Sequence, residues 1–389
     1  MTTLRLALGL VLALPVITSC AISGAGPVEA PPAGISAASW RPAAGSDEGG
    51  LWMEADRMEA ELRTSALLIR DSPLTAHVTA VTCRVAGPRC DQVRVYVVRT
   101  ARANAAMAPN GALLLYTGLL LRTENEAQLA YVLSHEVAHY LRRHGIQQWR
   151  DLWYRARMGR ILDAGGLGSV AWLGAPAVSR AQEREADEVA LDLMSRAGYE
   201  ARDAETFLEA WLAEESAAGP DRAAGFTAAH PPTAERLAVA RAAVAEARRA
   251  GAPKGAAPTD SHRRAMAPFL GGFLRDELRR REFGASLLLA DRLLASGADA
   301  AVVQSFRGEI YRLRGEPDDD ARAVAALTLA LATGQAPAEA HRSLGLVHMR
   351  RGEASLARAA FTRYLEERPD AEDRRMIESY LARPEREMP

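Results

Sequence analysis

The sequence has almost no net charge. Its 48 lysines and arginines are balanced by 49 acidic residues, which gives a formal charge of −1. No overall electrostatic field would therefore draw the chain to nucleic acid or to an anionic membrane. Hydrophobic residues make up 48% of the 389 residues, which is enough for one large core or two moderate ones.

Long apolar runs are also lacking beyond the N-terminus. Arg5 precedes an apolar run over residues 6–17, which is too short for a permanent membrane span and is typical of a secretory signal. The run ends in "ITSC", which resembles a bacterial lipobox. Residues 1–19 are therefore predicted to be a lipoprotein signal peptide, with Cys20 as the lipid-bearing residue. The following Ala21 resembles the default for anchoring at the periplasmic face of the outer membrane. The alternative is an ordinary signal, which would leave the protein soluble in the periplasm.

Cysteine is scarce, with three residues in the whole chain. If Cys20 carries lipid, an even pair remains, Cys83 and Cys90, on either side of a Gly-Pro turn. In an exported protein such a pair favours a disulfide, and two free buried thiols are the alternative.

Composition divides the rest of the chain into four parts. Residues 20–50, rich in proline, glycine and alanine, predict a flexible tether. Residues 51–249 predict a first domain, residues 250–261 a linker and residues 262–383 a helical second domain. The whole is predicted to be mainly α, of the α+β class, with a small sheet in the first domain.

Within the first domain, alternating β-branched residues predict strands at 93–100 and 112–118. A long helix is predicted over 123–144, begun by a capping box of Thr123 and Glu126 and ended by Gly145. A glycine-rich segment at 161–178 predicts a flexible or covered loop.

The second domain contains an internal repeat. The spacing of small, aromatic and proline residues resembles a tetratricopeptide repeat at Leu344, Gly345, Gly352, Ala357, Phe361 and Pro369, with a partial copy at Gly308, Tyr311 and Gly315. A generic helical bundle is the alternative. Stacked repeats present extended surfaces for gripping a polypeptide, so a cut at residue 250 is expected to remove client binding and leave the first domain working.

The most informative stretch is "SHEVAH" at 134–139. On a helix, residues four apart share a face, so His135 and His139 can direct imidazole nitrogens at one ion. Glu136 lies about 100° away and can reach a water without ligating the ion. This is the H-E-x-x-H zinc motif, with glutamate as general base.

A third ligand is predicted on the helix "SRAQEREADEVALDLMSRAG", residues 179–198. Glu183 and Asp187 lie on its apolar face, whereas Glu185 lies on the solvated side. Burying carboxylates is costly unless a metal or hydrogen bonds compensate. We therefore expect Glu183 to ligate zinc and Asp187 to orient a ligating histidine.

The residues just after the motif do not supply the third ligand. The metzincin pattern would need glycine and histidine where Arg142 and Gly145 stand. His144 points off the ligand face, so it is interpreted as part of a solvated basic helix end.

Together these motifs resemble the HtpX/BepA/CAAX-prenyl-protease family of gluzincin zinc metallopeptidases. The resemblance extends to "NAAMAPNGALLLYTGLL" from Asn104 and to "HPPTAERL", which matches the family's His-Pro-x-x-x-x-Arg element at His230 and Arg236. It covers about residues 55–245 and departs from the family at "AAMAP", near the expected substrate subsites.

The resemblance implies a zincin-like domain that binds one Zn²⁺ per chain and hydrolyses peptide bonds. His135, His139 and Glu183 would hold the ion, and Glu136 would act as general base. His230 or Arg236 would stabilise the oxyanion, or His230 would ligate zinc in a latent state. A capping histidine before a Pro-Pro turn is the alternative interpretation of His230.

The order of signal peptide, peptidase and repeats is similar to that of a periplasmic family member that serves outer-membrane protein assembly. It implies misfolded or stalled envelope proteins as substrates, with the assembly machinery as partner through the repeats. The alternative function is a chaperone-like binding protein whose zinc site is structural or latent. An integral-membrane prenyl-protein peptidase would need several transmembrane helices, and the sequence after the signal offers none.

Overall fold

A computed structural model describes residues 41–70, 72–148, 179–218, 230, 234–251 and 260–383. The predicted signal peptide, the predicted lipidation site Cys20, the 161–178 segment and most of the predicted linker lie outside the described residues. Helix α1, Asp47–Thr64, begins inside the predicted tether, because the Ser46 side chain accepts a hydrogen bond from the backbone N–H of Gly49 and caps the helix. The domain boundaries stay predictions.

A four-stranded mixed sheet lies in the first half of the chain. Its strands are β1 Leu68–Ile69, β2 Arg94–Val98, β3 Ala105–Met107 and β4 Ala112–Tyr116, in the order β1-β2-β4-β3. β2 pairs parallel with β4, whereas β1 and β3 pair antiparallel at the two edges. The two predicted strands are present in shortened form, and the predicted α+β class is confirmed.

The turn between β3 and β4 requires glycine. Gly111 has a φ of +88°, and a Cβ atom there would lie 2.1 Å from the carbonyl oxygen of Gln92. Only glycine avoids that collision, so the turn can lie against the segment that leads into β2.

The helix that carries the zinc motif is α4, Glu126–Leu141, which follows the short helix α3, Thr117–Leu120. The predicted capping box is wrong: Asn125 caps α4 by accepting from the Gln128 N–H. The Thr123 hydroxyl instead donates to the carbonyl of Leu120. The helix ends three residues earlier than predicted.

Helix α2, Pro73–Ala86, packs against α4 and continues into a 3-10 turn, Gly87–Gln92. Cys83 at the end of α2 and Cys90 in this turn form a disulfide, as predicted, with Cα atoms 4.6 Å apart. The covalent link ties the turn that leads into β2 to the helix behind the sheet.

Two helices cover the other side of α4, α5 Arg180–Arg196 and α6 Ala201–Ala218, and α7 Ala234–Arg249 packs against both of them. Helix α5 packs along α4 and also contacts α7. A capping box between Ser179 and Gln182 starts α5, so its first turn is well defined where it meets the zinc motif.

The rest of the described chain is helical: α8 Ser261–Met266, α9 Leu270–Leu278, α10 Phe283–Ala295, α11 Ala300–Arg314, α12 Asp319–Ala332, α13 Glu339–Arg350, α14 Ala354–Glu367 and α15 Arg374–Leu381. Helix α11 packs on α12, and α13 packs on α14. In both pairs a glycine lies at the crossing: a Cβ on Gly308 would meet Leu327, and one on Gly345 would meet Phe361. The tetratricopeptide assignment stays a prediction.

The hydrophobic core does not stop at the predicted linker. One cluster of buried residues runs from Leu74 in α2 to Ile310 in α11, and a separate small cluster surrounds Phe361. Helices α8–α11 therefore share a core with the zinc-motif helix. Among the described residues, no helix has both the length and the apolar character needed to cross a membrane.

Candidate metal centre

Four buried side chains converge at the middle of α4. His135 and His139 come from successive turns of α4, and Glu183 comes from the first turn of α5. His230 lies four residues before the start of α7. One potential ligand atom from each lies within 4.8 Å of all the others. The structure thus brings together the three predicted ligands and the residue predicted as either donor or fourth ligand.

The atoms that meet are those a metal would need. Nε2 of His139 lies 3.0 Å from Nε2 of His135 and 3.4 Å from Oε1 of Glu183. Nδ1 of His230 lies 2.8 Å from the same oxygen and 3.4 Å from Nε2 of His135. Three imidazole nitrogens and one carboxylate oxygen are a donor set that Zn²⁺ prefers.

Unsatisfied atoms mark the same place. Oε2 of Glu183 is buried and forms no hydrogen bond within the described part of the chain, although Arg236 Nη1 lies 3.2 Å away. Oε1 of Glu136 is also buried without a hydrogen-bond partner among the described residues. Buried carboxylate oxygens are rarely left unpaired, so a bound cation and its water fit this cluster.

Asp187 lies behind His135. Its Oδ1 is 2.9 Å from Nδ1 of His135, which leaves Nε2 of that ring pointing at the other ligands. The Tyr131 hydroxyl donates to the same oxygen at 2.7 Å. Burial opposes ionisation of Asp187, but the charges of Arg236 and His135 outweigh it and hold the pKa of this carboxyl below its usual range.

Arg236 is placed differently from the prediction of an oxyanion donor. Its Nε and Nη2 donate to the two oxygens of Asp187 at 2.7 and 2.8 Å, and Nη1 donates to the carbonyl of His230 at 3.3 Å. The guanidinium is buried at the back of the cluster. This geometry favours a role in fixing Asp187 and the His230 backbone.

Glu136 has the position expected of a base. It lies on α4 between the two histidine turns, is 1% exposed, and its Oε1 is 3.8 Å from Nε2 of His230. That oxygen is near the donor cluster yet is not among the converging ligand atoms. It can therefore reach a water bound at the cluster without entering the ligand set.

The interpretation of His144 as solvated is wrong. It is 1% exposed, and its Nδ1 lies 2.9 Å from Nδ1 of His139. The cause is the chain reversal after α4: Arg143 has a φ of +59°, which ends the helix and turns the next residue back against it. Helical periodicity extended past residue 141 could not have shown this.

Tyr131 was also missed by sequence reasoning. It is fully buried one turn before His135, and its hydroxyl reaches Asp187 across the α4–α5 contact. The spacing of four residues from the first histidine was a usable signal, because it places the phenol on the ligand face of α4.

Comparison with known proteins agrees with this geometry. A family model described as Peptidase family M48 matches residues 70–244, a span that contains all four members of the cluster. Residues 70–244 are a peptidase family M48 domain. The chain therefore carries a metallopeptidase domain, and the matched span ends inside α7.

Two groups of curated relatives match. The beta-barrel assembly-enhancing protease of Escherichia coli (strain K12) is 28% identical over 205 residues, 46% of this chain and 41% of the relative. The mitochondrial metalloendopeptidase OMA1 of Schizosaccharomyces pombe is 31% identical over 177 residues, 42% of this chain and 51% of the relative. Its counterpart in Arabidopsis thaliana is 36% identical over 124 residues, 30% of this chain and 25% of the relative. The chain thus spans about half or less of the length of these relatives.

Proposed function

We propose that this protein is a zinc-dependent endopeptidase of the cell envelope. The observation that carries the proposal is a buried carboxylate, Glu136, beside a cluster of three histidines and Glu183; its Oε1 forms no hydrogen bond with any described residue. A purely structural metal site has no use for such a group, whereas hydrolysis needs a base next to the attacking water.

His135, His139 and Glu183 would hold the ion. When bound, Zn²⁺ supplies a positive charge that acidifies a water and polarises a carbonyl oxygen. Glu136 takes the proton of the attacking water on Oε1 and returns it to the leaving amine. Asp187, fixed by Arg236 and Tyr131, keeps the ring of His135 oriented.

The sheet edge offers a place for the substrate backbone. β3 is an edge strand that packs against α4, and its outer backbone groups pair with no described strand. An extended peptide could add to this edge with its scissile bond near Glu136. The buried Oδ1 of Asn104, which has no partner among the described residues, lies at the start of this strand.

His230 supports a second candidate state. Four protein donors would close the coordination sphere of Zn²⁺, which is typical of a structural or latent site. We propose that His230 restrains activity when it ligates the ion and, once released, donates a hydrogen bond to the substrate oxyanion. When His230 ligates the ion, the site is in what we call the closed state. The chaperone-like alternative corresponds to a protein that stays in this closed state.

The cellular role is proposed from the sequence and from the relatives' names. A lipobox-like Cys20 would anchor the chain at the periplasmic face of the outer membrane. A relative named for beta-barrel assembly supports misfolded or stalled envelope proteins as substrates. The helices over residues 262–383 would grip such clients and raise their concentration near the cleft.

Casein degradation with metal add-back tests the proposal. The purified full chain should contain about one zinc per chain, lose cleavage on chelation and recover it with added zinc. Cleavage that survives complete removal of the metal would overturn a zinc mechanism. Stoichiometric zinc without cleavage of any unfolded protein would favour the closed, chaperone-like state.

A further inference from the structure

His144 lies behind His139 as Asp187 lies behind His135. Nε2 of His139 points into the donor cluster, and its other nitrogen, Nδ1, is 2.9 Å from Nδ1 of His144. The opposite nitrogen of His144, Nε2, is 3.4 Å from Oε2 of Glu185. The second oxygen of Glu185 lies 3.0 Å from Nε of Arg142.

Metal ligation fixes every proton in this chain of contacts. If Nε2 of His139 gives its lone pair to a metal, the neutral ring carries its proton on Nδ1. That N–H can only donate to Nδ1 of His144, so His144 carries its own proton on Nε2. This second N–H points at Glu185. Each ring therefore has its N–H directed at an acceptor: His139 at Nδ1 of His144, and His144 at Glu185.

The backbone is shaped to hold His144 there. Arg143 adopts the left-handed region, which is unusual for a residue with a side chain. Its guanidinium forms an ion pair with Glu48, a fully buried residue of α1. The ion pair holds the reversal that turns His144 away from solvent and onto the back of His139.

We propose that His144 is a positioning residue that orients His139 for metal binding, with Glu185 as the outer acceptor of the relay. The inference rests on the proposed zinc site and deepens it. It assigns a contribution to Glu185, which the helix-face argument placed among the solvated charges, and to a histidine that the H-E-x-x-H motif does not include.

A purely structural role for His144 predicts a different mutant pattern. If the ring only fills space, Phe should replace it well and Asn poorly. If it accepts a hydrogen bond, His144→Asn should be the better substitute, because Asn Oδ1 stands close to the position of imidazole Nδ1.

Zinc affinity, measured by competition with a chromophoric chelator, separates the two roles without relying on catalysis. His144→Phe should weaken zinc binding about 10- to 100-fold, the usual cost of losing a partner of a ligating histidine. His144→Asn and Glu185→Gln should each weaken it measurably, but by less than about 10-fold. Glu188→Gln, an exposed glutamate one turn along α5, is the matched control and should bind as wild type does. In the zinc-loaded wild type, ¹⁵N-resolved NMR should show the proton of His139 on Nδ1.

The outcomes distinguish this inference from the function on which it rests. Wild type without zinc would overturn both. Wild type with zinc, but with affinities for His144→Phe and His144→Asn that are equal to each other, would overturn only the positioning role. Should His144→Phe fail to fold, Glu185→Gln decides: an affinity identical to that of Glu188→Gln would overturn the relay.

Discussion

The two histidines of the motif are held by groups of different charge. His135 contacts the ionised Asp187, whereas His139 contacts the neutral ring of His144. In the metal-free protein the pKa values of the two histidines shift in opposite directions. Burial and Arg236 favour the neutral form of His135, but Asp187 and Glu183 outweigh them and raise its pKa to about 9. Burial and the neighbouring His135 hold the pKa of His139 well below its usual value.

Zinc binding should therefore release a proton. Below pH 9 the metal-free His135 keeps the proton that Nε2 must lose on ligation, so zinc affinity should rise with pH up to about 9. Calorimetry at pH 7.5 in two buffers of different ionisation enthalpy should give about one proton released per zinc. Equal heats in the two buffers would contradict this account of His135.

Asp187 is expected to stabilise the fold as well as the site. Asp187→Asn removes the charge that is paired with the buried guanidinium of Arg236. Leaving a buried charge without its partner costs about 3–5 kcal/mol, so the free energy of unfolding by urea should fall by that order. The control Glu188→Gln, which changes an exposed carboxylate on the same helix, should unfold as wild type does. A loss below about 1 kcal/mol in Asp187→Asn would contradict the buried pair.

Helical periodicity explains which site residues could be predicted. His135, Glu136 and His139 share one regular helix, and Glu183 and Asp187 share the apolar face of another. Both sets therefore follow from a 100° step per residue. His144 follows a left-handed residue, where that step no longer applies. The relation between His230 and Glu183 depends on how α5 and α7 pack, which no local pattern specifies.

At the scale of helices and strands, two helix crossings depend on a single glycine each. At two successive crossings a glycine allows the partner side chain to approach the helix backbone: Leu327 at Gly308 and Phe361 at Gly345. A Cβ atom would lie 2.5 Å from the nearest partner atom at either site, so each crossing is built around the missing side chain.

Gly345→Ala should therefore destabilise the protein. The new methyl group would overlap the fully buried Phe361 ring, and overpacking of this kind typically costs about 1–3 kcal/mol. Gly271→Ala is the matched control in another helix, since its Cβ would meet only Val302 at 3.7 Å. That variant should keep or slightly raise the melting temperature. Equal melting temperatures for the two variants would contradict the crossing geometry.

The start of α4 and strand β1 show where predictions from local sequence signals fail. The capping box at Thr123 was a reasonable prediction, yet Glu126 is engaged by Tyr199 and Ser261 and cannot close it. Tertiary contacts thus overrode a local pattern. Strand β1 is too short to show alternation, so only its pairing with β2 defines it.

At the scale of the whole molecule, the two predicted domains are joined by buried charge and by shared core. Arg122, 4% exposed, donates to Glu214 of α6 at 2.7 Å and to the fully buried Glu277 of α9 at 2.9 Å. Arg99, just after β2, pairs with Asp276 of the same helix at 2.7 Å. A boundary in the sequence composition at 250–261 therefore does not mark a gap between packed cores.

Two truncations test this joining. A chain ending at Ala250 loses α8–α11 from the shared cluster and exposes its apolar residues. Contrary to the expectation from sequence, it should therefore lack a cooperative unfolding transition and bind little zinc. A chain ending at Gln335 loses the separate cluster around Phe361 and should keep one zinc and casein cleavage. Its loss of client capture in a pull-down would support a recognition role for α13–α15. Normal zinc content and melting in the shorter chain would contradict the shared core.

The measurement that tests the central claim most directly is a comparison of zinc content and casein cleavage between wild type and Glu136→Gln. The substitution removes the base but none of the four converging donors. The account predicts an unchanged zinc stoichiometry and cleavage lower by about 10²- to 10⁴-fold, with Glu188→Gln unchanged in both. A Glu136→Gln protein that cleaves casein as fast as wild type would contradict the assignment of this cluster as a hydrolytic zinc site.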